Sequence, residues 1–290
     1  MTDMSSVSSS TTAQTGTSTL IKVAVAGING RMGRASVPAI LGDPALTLVG
    51  AYGKSGAHYS GKKLSELFRE NADVLDEHLH VSDLQSDLFK EVKPDVILDF
   101  MVAEASLKST LSAIASGVRV VIGSSGITKD MLAQIDEAAR KHKIGVLVVP
   151  NFSVGAVLMM RFAEEAARYF NDVEVVEMHH KNKVDAPSGT AMHTLNRMAN
   201  SAPSFNQTNV EEHELIPSAR GALHESGLRV HSMRLPGLIS HQEVYFGSQG
   251  ELFTLRHDSF NTSCFLKGII LAIKGVMTFD ELKVGLDAVL

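Results

Sequence analysis

Two rhythms of apolar residues run along this chain. Through its first half, short apolar runs alternate with longer stretches in which apolar side chains fall three and four positions apart. Residues 21–26, 46–52, 95–100, 118–122 and 145–149 are short runs rich in Val, Ile and Leu, and predict strands. Residues 31–41, 103–116 and 129–142 carry the helical spacing. Residues 53–93 are more polar, with helical stretches near 62–70 and 83–92. Strands separated by helical runs predict an α/β fold, with a mostly parallel, Rossmann-like sheet covered on both faces.

The pattern changes near residue 151. Residues 154–170 read as a helix whose apolar face (Leu158, Met159, Phe162) core packing explains. A strand at 173–176, a helix at 190–200 and a polar loop at 201–217 follow. Strands are then expected at 228–235, 239–246 and 252–257, joined by short segments containing Gly237, Gly247 and Gly250. Consecutive strands with such joins predict an antiparallel sheet. An open sheet with one bare face invites a second copy of the chain, so a smaller α+β domain serving substrate binding and homo-oligomerisation is expected. A long apolar helix at 261–277 and a short final helix at 280–290 would return to the first domain. The expected domains are therefore 20–150 with 260–290, and 151–259. The Ser/Thr-dominated residues 1–19 read as a disordered tail with no apolar targeting core.

Composition narrows the function classes. Of 290 residues, 44% are hydrophobic and 20% charged, an ordinary globular balance. A net charge of −5 without a basic block argues against nucleic acid. No apolar run reaches membrane-spanning length. A lone cysteine, Cys264, allows no internal disulfide and suits a reducing, cytoplasmic setting. It lies in an apolar run and reads as a small core residue. The histidines are scattered without metal-ligand spacing, so no metal is expected.

Candidate chemistry begins directly after the first strand. Gly27-Ile28-Asn29-Gly30-Arg31-Met32-Gly33 is a glycine turn opening a helix. Gly27 would make the turn, Gly30 would admit a pyrophosphate to the backbone, and Gly33 would let helix and strand pack closely. Asn29 stands where the commoner dinucleotide fingerprint has its middle glycine. The second strand ends in Tyr52-Gly53-Lys54, without the carboxylate that usually binds the ribose hydroxyls of NAD. Lys54 and Arg31 could attract a 2′-phosphate, which favours NADPH or the use of both NADPH and NADH. Lys54 reads nearly as well as a solvated loop lysine. Gly123-Ser124-Ser125-Gly126 and Pro150-Asn151-Phe152-Ser153 follow later strands, where parallel sheets bind ligands. Either could also be a plain tight turn.

The densest cluster spans residues 177–191. A strand ends in Glu177-Met178-His179-His180, followed by Lys181, Lys183 and Asp185, then Pro187-Ser188-Gly189-Thr190 opening a helix. A helix start attracts anions, lysines add charge, and His is a proton donor suited to neutral pH. Together they can hold a carboxylated small molecule and protonate it. The bland alternative is a strand–loop–helix junction with a surface His pair and an ordinary Ser cap.

These motifs together resemble the dihydrodipicolinate reductase family. The run His179-His180-x-x-Lys183-x-Asp185-Ala186-Pro187-Ser188-Gly189-Thr190-Ala191 is very specific to it. Arg229–Gly237 and His241-Gln242-Glu243-Val244 add support. The likeness covers essentially the whole chain after the tail. It implies NAD(P)H-dependent reduction of a cyclic unsaturated dicarboxylate to tetrahydrodipicolinate, in the diaminopimelate route to lysine, by a homotetramer. His179 would be the proton donor and Lys183 a second catalytic donor; His180, Gly189 and Thr190 would bind substrate. Gly27, Ile28, Asn29, Gly30, Arg31 and Met32 would hold the pyrophosphate. Gly123, Ser124 and Ser125, with Val149, Pro150, Asn151 and Phe152, would line the nicotinamide side. The chain departs from the family pattern where Gly-Ser-Ser-Gly replaces Gly-Thr-Thr-Gly and where Met101 follows Asp99-Phe100. It also lacks the usual acidic residue after the second strand. A homoserine- or aspartate-type dehydrogenase would share the glycine turn but has no reason to carry the His-His…Lys…Ser-Gly-Thr run. A nucleotide-responsive binding protein would not need the proton donors.

Overall fold

The computed structural model describes residues 20–202 and 204–290; the tail expected over residues 1–19 lies outside them. The first half folds as β1 (Ile21–Ala26), α1 (Arg31–Leu41), β2 (Leu46–Tyr52), α2 (Leu64–Leu67), β3 (Val81–Ser82), α3 (Gln85–Glu91), β4 (Val96–Asp99), α4 (Ala103–Ala115), β5 (Arg119–Ile122), α5 (Lys129–His142) and β6 (Val146–Val148). Then come α6 (Val154–Ala166), β7 (Asp172–His179), α7 (Gly189–Ser201), β8 (Ala222–Leu223), β9 (Arg229–Arg234), β10 (Ser240–Ser248), β11 (Glu251–Ser259), α8 (Leu266–Gly275) and β12 (Leu282–Val284).

The first sheet has seven strands in the order β12-β6-β5-β4-β1-β2-β3, and every pairing is parallel. Because strand side chains alternate between faces, Val23 and Val25 enter one core layer with Val37, Ile40 and Ile273. Ala24 and Ala26 enter the opposite layer with Ile114, Val120 and Ile135. Both faces are thus covered, as parallel sheets require. The strand order reverses between β1 and β4, and the crevice at such a reversal is where doubly wound sheets bind nucleotides.

The second sheet has five strands in the order β11-β10-β7-β9-β8. It is mixed, which corrects the expected antiparallel sheet, although β10 and β11 pair antiparallel as expected. β9 and β10 are consecutive in sequence but do not pair. β7 lies between them, parallel to β9 and antiparallel to β10. The join at 235–239 therefore passes over the end of β7, where Leu235 N–H donates to the His179 carbonyl at 3.1 Å. Local turn chemistry cannot distinguish a hairpin from a crossing over an earlier strand.

Two further expectations change. Residues 280–290 are not a helix: β12 adds a seventh strand beside β6, and a 3₁₀ turn, Leu286–Val289, closes the chain. On α6 the buried positions are Ala156, Val157, Met159, Met160 and Ala163, while Phe162 is exposed. α8 packs on α1, and on another side Gly268 lies so close to the segment after β6 that a Cβ there would stand 1.9 Å from the Phe152 carbonyl oxygen.

Candidate active site

The glycine turn packs backbone closely against backbone and opens onto a helix start. Gly27 has φ +74°, and a Cβ there would meet the Phe100 backbone at 3.0 Å. A Cβ on Gly33 would fall 2.4 Å from the Gly27 carbonyl oxygen. Gly30 caps α1 without a side-chain hydrogen bond, so the helix start keeps its positive end unmasked. These features fit a pyrophosphate. Ile28 is fully buried, which leaves only its backbone available. The Asn29 side-chain Oδ1 accepts from Arg34 Nη2 and Nε at 2.7 and 3.1 Å, which stiffens the turn. Gly27 N–H donates to Tyr52 O at 3.0 Å, so Gly53 and the exposed Lys54 leave β2 beside this turn.

One cleft of about 910 Å³ runs from this turn to the second sheet. Arg31, Met32, Phe100, Gly123, Val149, Pro150, Asn151 and Phe152 line one side; His179, His180, Lys183, Ser188 and Thr190 line the other. Gly123 is required by packing, since a Cβ would meet the Phe100 and Phe152 rings at 2.4 and 2.7 Å. Gly189 opens a contiguous cavity of about 710 Å³. A Cβ on Gly189 would touch nothing within 4 Å, so this helix start faces open space. Asn151 spans the cleft, its amide 3.5 Å from Thr190 Oγ1. Lys54, Ser124 and Ser125 do not line the cleft wall; Ser124 Oγ is buried without a hydrogen-bond partner among the described residues. Cys264 is half-buried and lines the cleft, rather than serving the core as expected.

The imidazole of His179 is gripped from both sides. Nδ1 lies 2.5 Å from Glu177 Oε2, and Nε2 lies 3.1 Å from Ser240 Oγ. Glu177, completely buried, accepts from Arg234 at 2.7 and 3.0 Å and from Ser188 N–H at 3.3 Å. Burial pushes its carboxyl up, but the hydrogen bonds from His179, Arg234 and Ser232 outweigh that and hold it down at about 2. Lys183 Nζ pairs with Asp185 at 2.7 Å, while Arg234 also donates to the Asp185 carbonyl at 2.8 Å and fixes the loop. The Lys183 ammonium holds the Asp185 carboxyl below the usual range. His180 is exposed at the cleft mouth.

Glu177, Arg234 and Ser240 were not singled out from the sequence. One signal for Glu177 was available. β7 alternates, with Val173, Val175, Glu177 and His179 buried and Val176 and Met178 half-exposed. Glu-x-His on a strand therefore puts carboxylate and imidazole on one face. Arg234 and Ser240 come from strands flanking β7, and no local pattern announces that pairing.

Comparison with known proteins gives the same picture throughout the chain. The family model described as dihydrodipicolinate reductase, N-terminus, matches residues 21–152, and that described as dihydrodipicolinate reductase, C-terminus, matches residues 155–290. A 4-hydroxy-tetrahydrodipicolinate reductase of Lactococcus lactis subsp. cremoris is 44% identical over 267 residues, covering 92% of this chain and 96% of that one. The protein of that name from Bacillus velezensis is 41% identical over 270 residues, 93% of this chain and 98% of its own. A solved dipicolinate-bound dihydrodipicolinate reductase from Paenisporosarcina sp. TG-14 is 40% identical, with a TM-score of 0.82, covering 93% of this chain and 100% of that chain. An amine dehydrogenase from Mycobacterium smegmatis shares the fold at a TM-score of 0.62 and 14% identity. With both family models matched and such relatives aligned almost end to end, the chain belongs to the dihydrodipicolinate reductase family.

Proposed function

We propose that this protein is a 4-hydroxy-tetrahydrodipicolinate reductase, which reduces a cyclic unsaturated dicarboxylate to tetrahydrodipicolinate with NADPH or NADH. The observation that carries the reading is the single cleft joining the glycine turn to His179, Lys183 and Thr190. A bound nicotinamide supplies a hydride to the ring. The chain's own residues do the rest. Gly27 through Met32 hold the pyrophosphate through turn and helix N–H groups. Gly123 and Val149 to Phe152 form the wall against the nicotinamide. Gly189, Thr190 and His180 bind one substrate carboxylate, and Lys183 turns from Asp185 toward the other. His179 delivers a proton to the position where reduction leaves excess electron density, a contribution of roughly 10²- to 10⁴-fold. Closure of the two halves about Pro150 and residue 260 excludes water.

The second sheet serves assembly as well. Leu223 and Leu252, 64% and 67% exposed, flank a cavity of about 1060 Å³ over the sheet face away from α7. Apolar groups of this size at a bare sheet suit a homo-oligomer, and a tetramer is the assembly proposed. Among the described residues no helix is long and apolar enough to cross a membrane. A cytoplasmic enzyme of amino-acid biosynthesis is the setting proposed.

The test is consumption of NADPH in a coupled assay that generates the substrate in place from pyruvate and aspartate semialdehyde. Rapid oxidation dependent on both precursors is expected. Cofactor binding without turnover would remove the enzymatic reading.

A further inference from the structure

Glu177 sits where three elements meet. Its Oε2 receives His179 Nδ1 and Arg234 Nη1; its Oε1 receives Arg234 Nη2 and the Ser188 N–H that precedes α7. One buried carboxylate therefore ties the imidazole at the end of β7 to the helix start carrying Gly189 and Thr190. Arg234 from β9 neutralises it and keeps it from turning. A side chain kept only for stability has no need of this arrangement, since an apolar residue would fill the site without a buried charge. We propose that Glu177 is a positioning residue: it fixes His179 with the proton on Nδ1, so that Nε2 faces the cleft beside Ser240, and it sets the distance between that nitrogen and the anion-binding start of α7.

The physical reason is twofold. A carboxylate on Nδ1 selects the tautomer whose Nε2 exchanges the proton with the substrate. The same contact, with that from Ser240, also fixes the plane of the ring, so that the free nitrogen faces one place in the cleft. The groups bearing on the ring are Glu177 from β7, Arg234 from β9, Lys183 and Asp185 from the loop and His241 from β10. Glu177 is the one in direct contact with Nδ1.

The inference rests on His179 being the proton carrier proposed above, and the experiment keeps the two apart. His179→Gln, Glu177→Gln and Glu177→Asp are compared in the full-length protein for kcat and the KM of each substrate. Glu177→Gln is expected to lower kcat about 10²-fold and to leave the dissociation constant of NADPH within twofold. The loss should fall on kcat more than on the KM of the dicarboxylate. Glu177→Asp retains the carboxylate, and kcat should recover in part. An active His179→Gln enzyme would remove the proton-carrier reading itself. An inactive His179→Gln beside a Glu177→Gln enzyme with near-normal kcat would overturn only the present inference. Should Glu177→Gln not fold, nitrogen-15 imidazole spectra of the wild-type protein decide the matter, with His179→Gln assigning the signal. A proton on Nδ1 is expected, and a neutral ring protonated on Nε2 would overturn the proposal.

Discussion

An imidazole delivers a proton to one place only if its ring cannot turn, and His179 is buried and held at both nitrogens. His179→Gln keeps a similar volume but removes the acid. It is expected to lower turnover by about 10²- to 10⁴-fold and leave NADPH affinity, read by fluorescence titration, almost unchanged. Equal losses in both would mark the residue as structural. Lys54 poses a different question, since it leaves β2 beside the glycine turn without lining the cleft wall. If its ammonium attracts a 2′-phosphate, Lys54→Glu should lower kcat/KM for NADPH about tenfold or more relative to NADH, because a charge-assisted contact becomes a repulsion. An unchanged ratio of the two cofactors would leave Lys54 a solvated loop residue.

Among the elements, β4 carries a stress that its sequence does not advertise. Asp99, at its carboxyl end, is fully buried. Oδ1 accepts from Met101 N–H at 2.8 Å, while Oδ2 has no hydrogen-bond partner among the described residues. Burial pushes the carboxyl from its ordinary 3.8 up to about 6, against the pull of the Met101 N–H and the nearby hydroxyls of Ser106, Ser109 and Ser124. The native state therefore holds this proton more tightly than the unfolded chain does. The cost of ionising Asp99 is absent below about pH 4, grows between pH 4 and 6 and is complete above it, at about 3 kcal/mol. Asp99→Asn keeps the acceptor for Met101 and removes the charge. Its melting temperature relative to wild type should rise between pH 4 and pH 8. A difference independent of pH would show that Asp99 is not the titrating group.

At the scale of the whole molecule, the two sheets are held together by packing and by a few charged links. Arg197 on α7 pairs with Glu164 on α6 at 2.6 Å and with Asp287 in the closing turn at 3.1 Å. The far face of the second sheet presents Leu223 and Leu252 around ion pairs such as His231–Glu174 and Arg220–Glu174, at 2.8 and 2.9 Å. If copies of the chain meet there, the double substitution Leu223→Asp, Leu252→Asp places carboxylates in an apolar contact. Sedimentation velocity should then show a smaller species at micromolar concentration. An unchanged sedimentation coefficient would move the interface elsewhere.

What the sequence determined by itself was whatever depends on neighbours in the chain. The short apolar runs and the helical spacing between them gave the parallel sheet and its helices. The glycine spacing marked the turn, and the run from His179 to Thr190 marked the family and one wall of the cleft. Pairings between distant strands were not legible in this way. That β7 separates β9 from β10, that 282–284 is a strand beside β6, and that Arg234 and Ser240 converge on Glu177 and His179 all depend on which segments become neighbours after collapse. A strand's partner is chosen by burial of its whole face and not by the residues next to it, so the support around His179 could be read only from the folded chain.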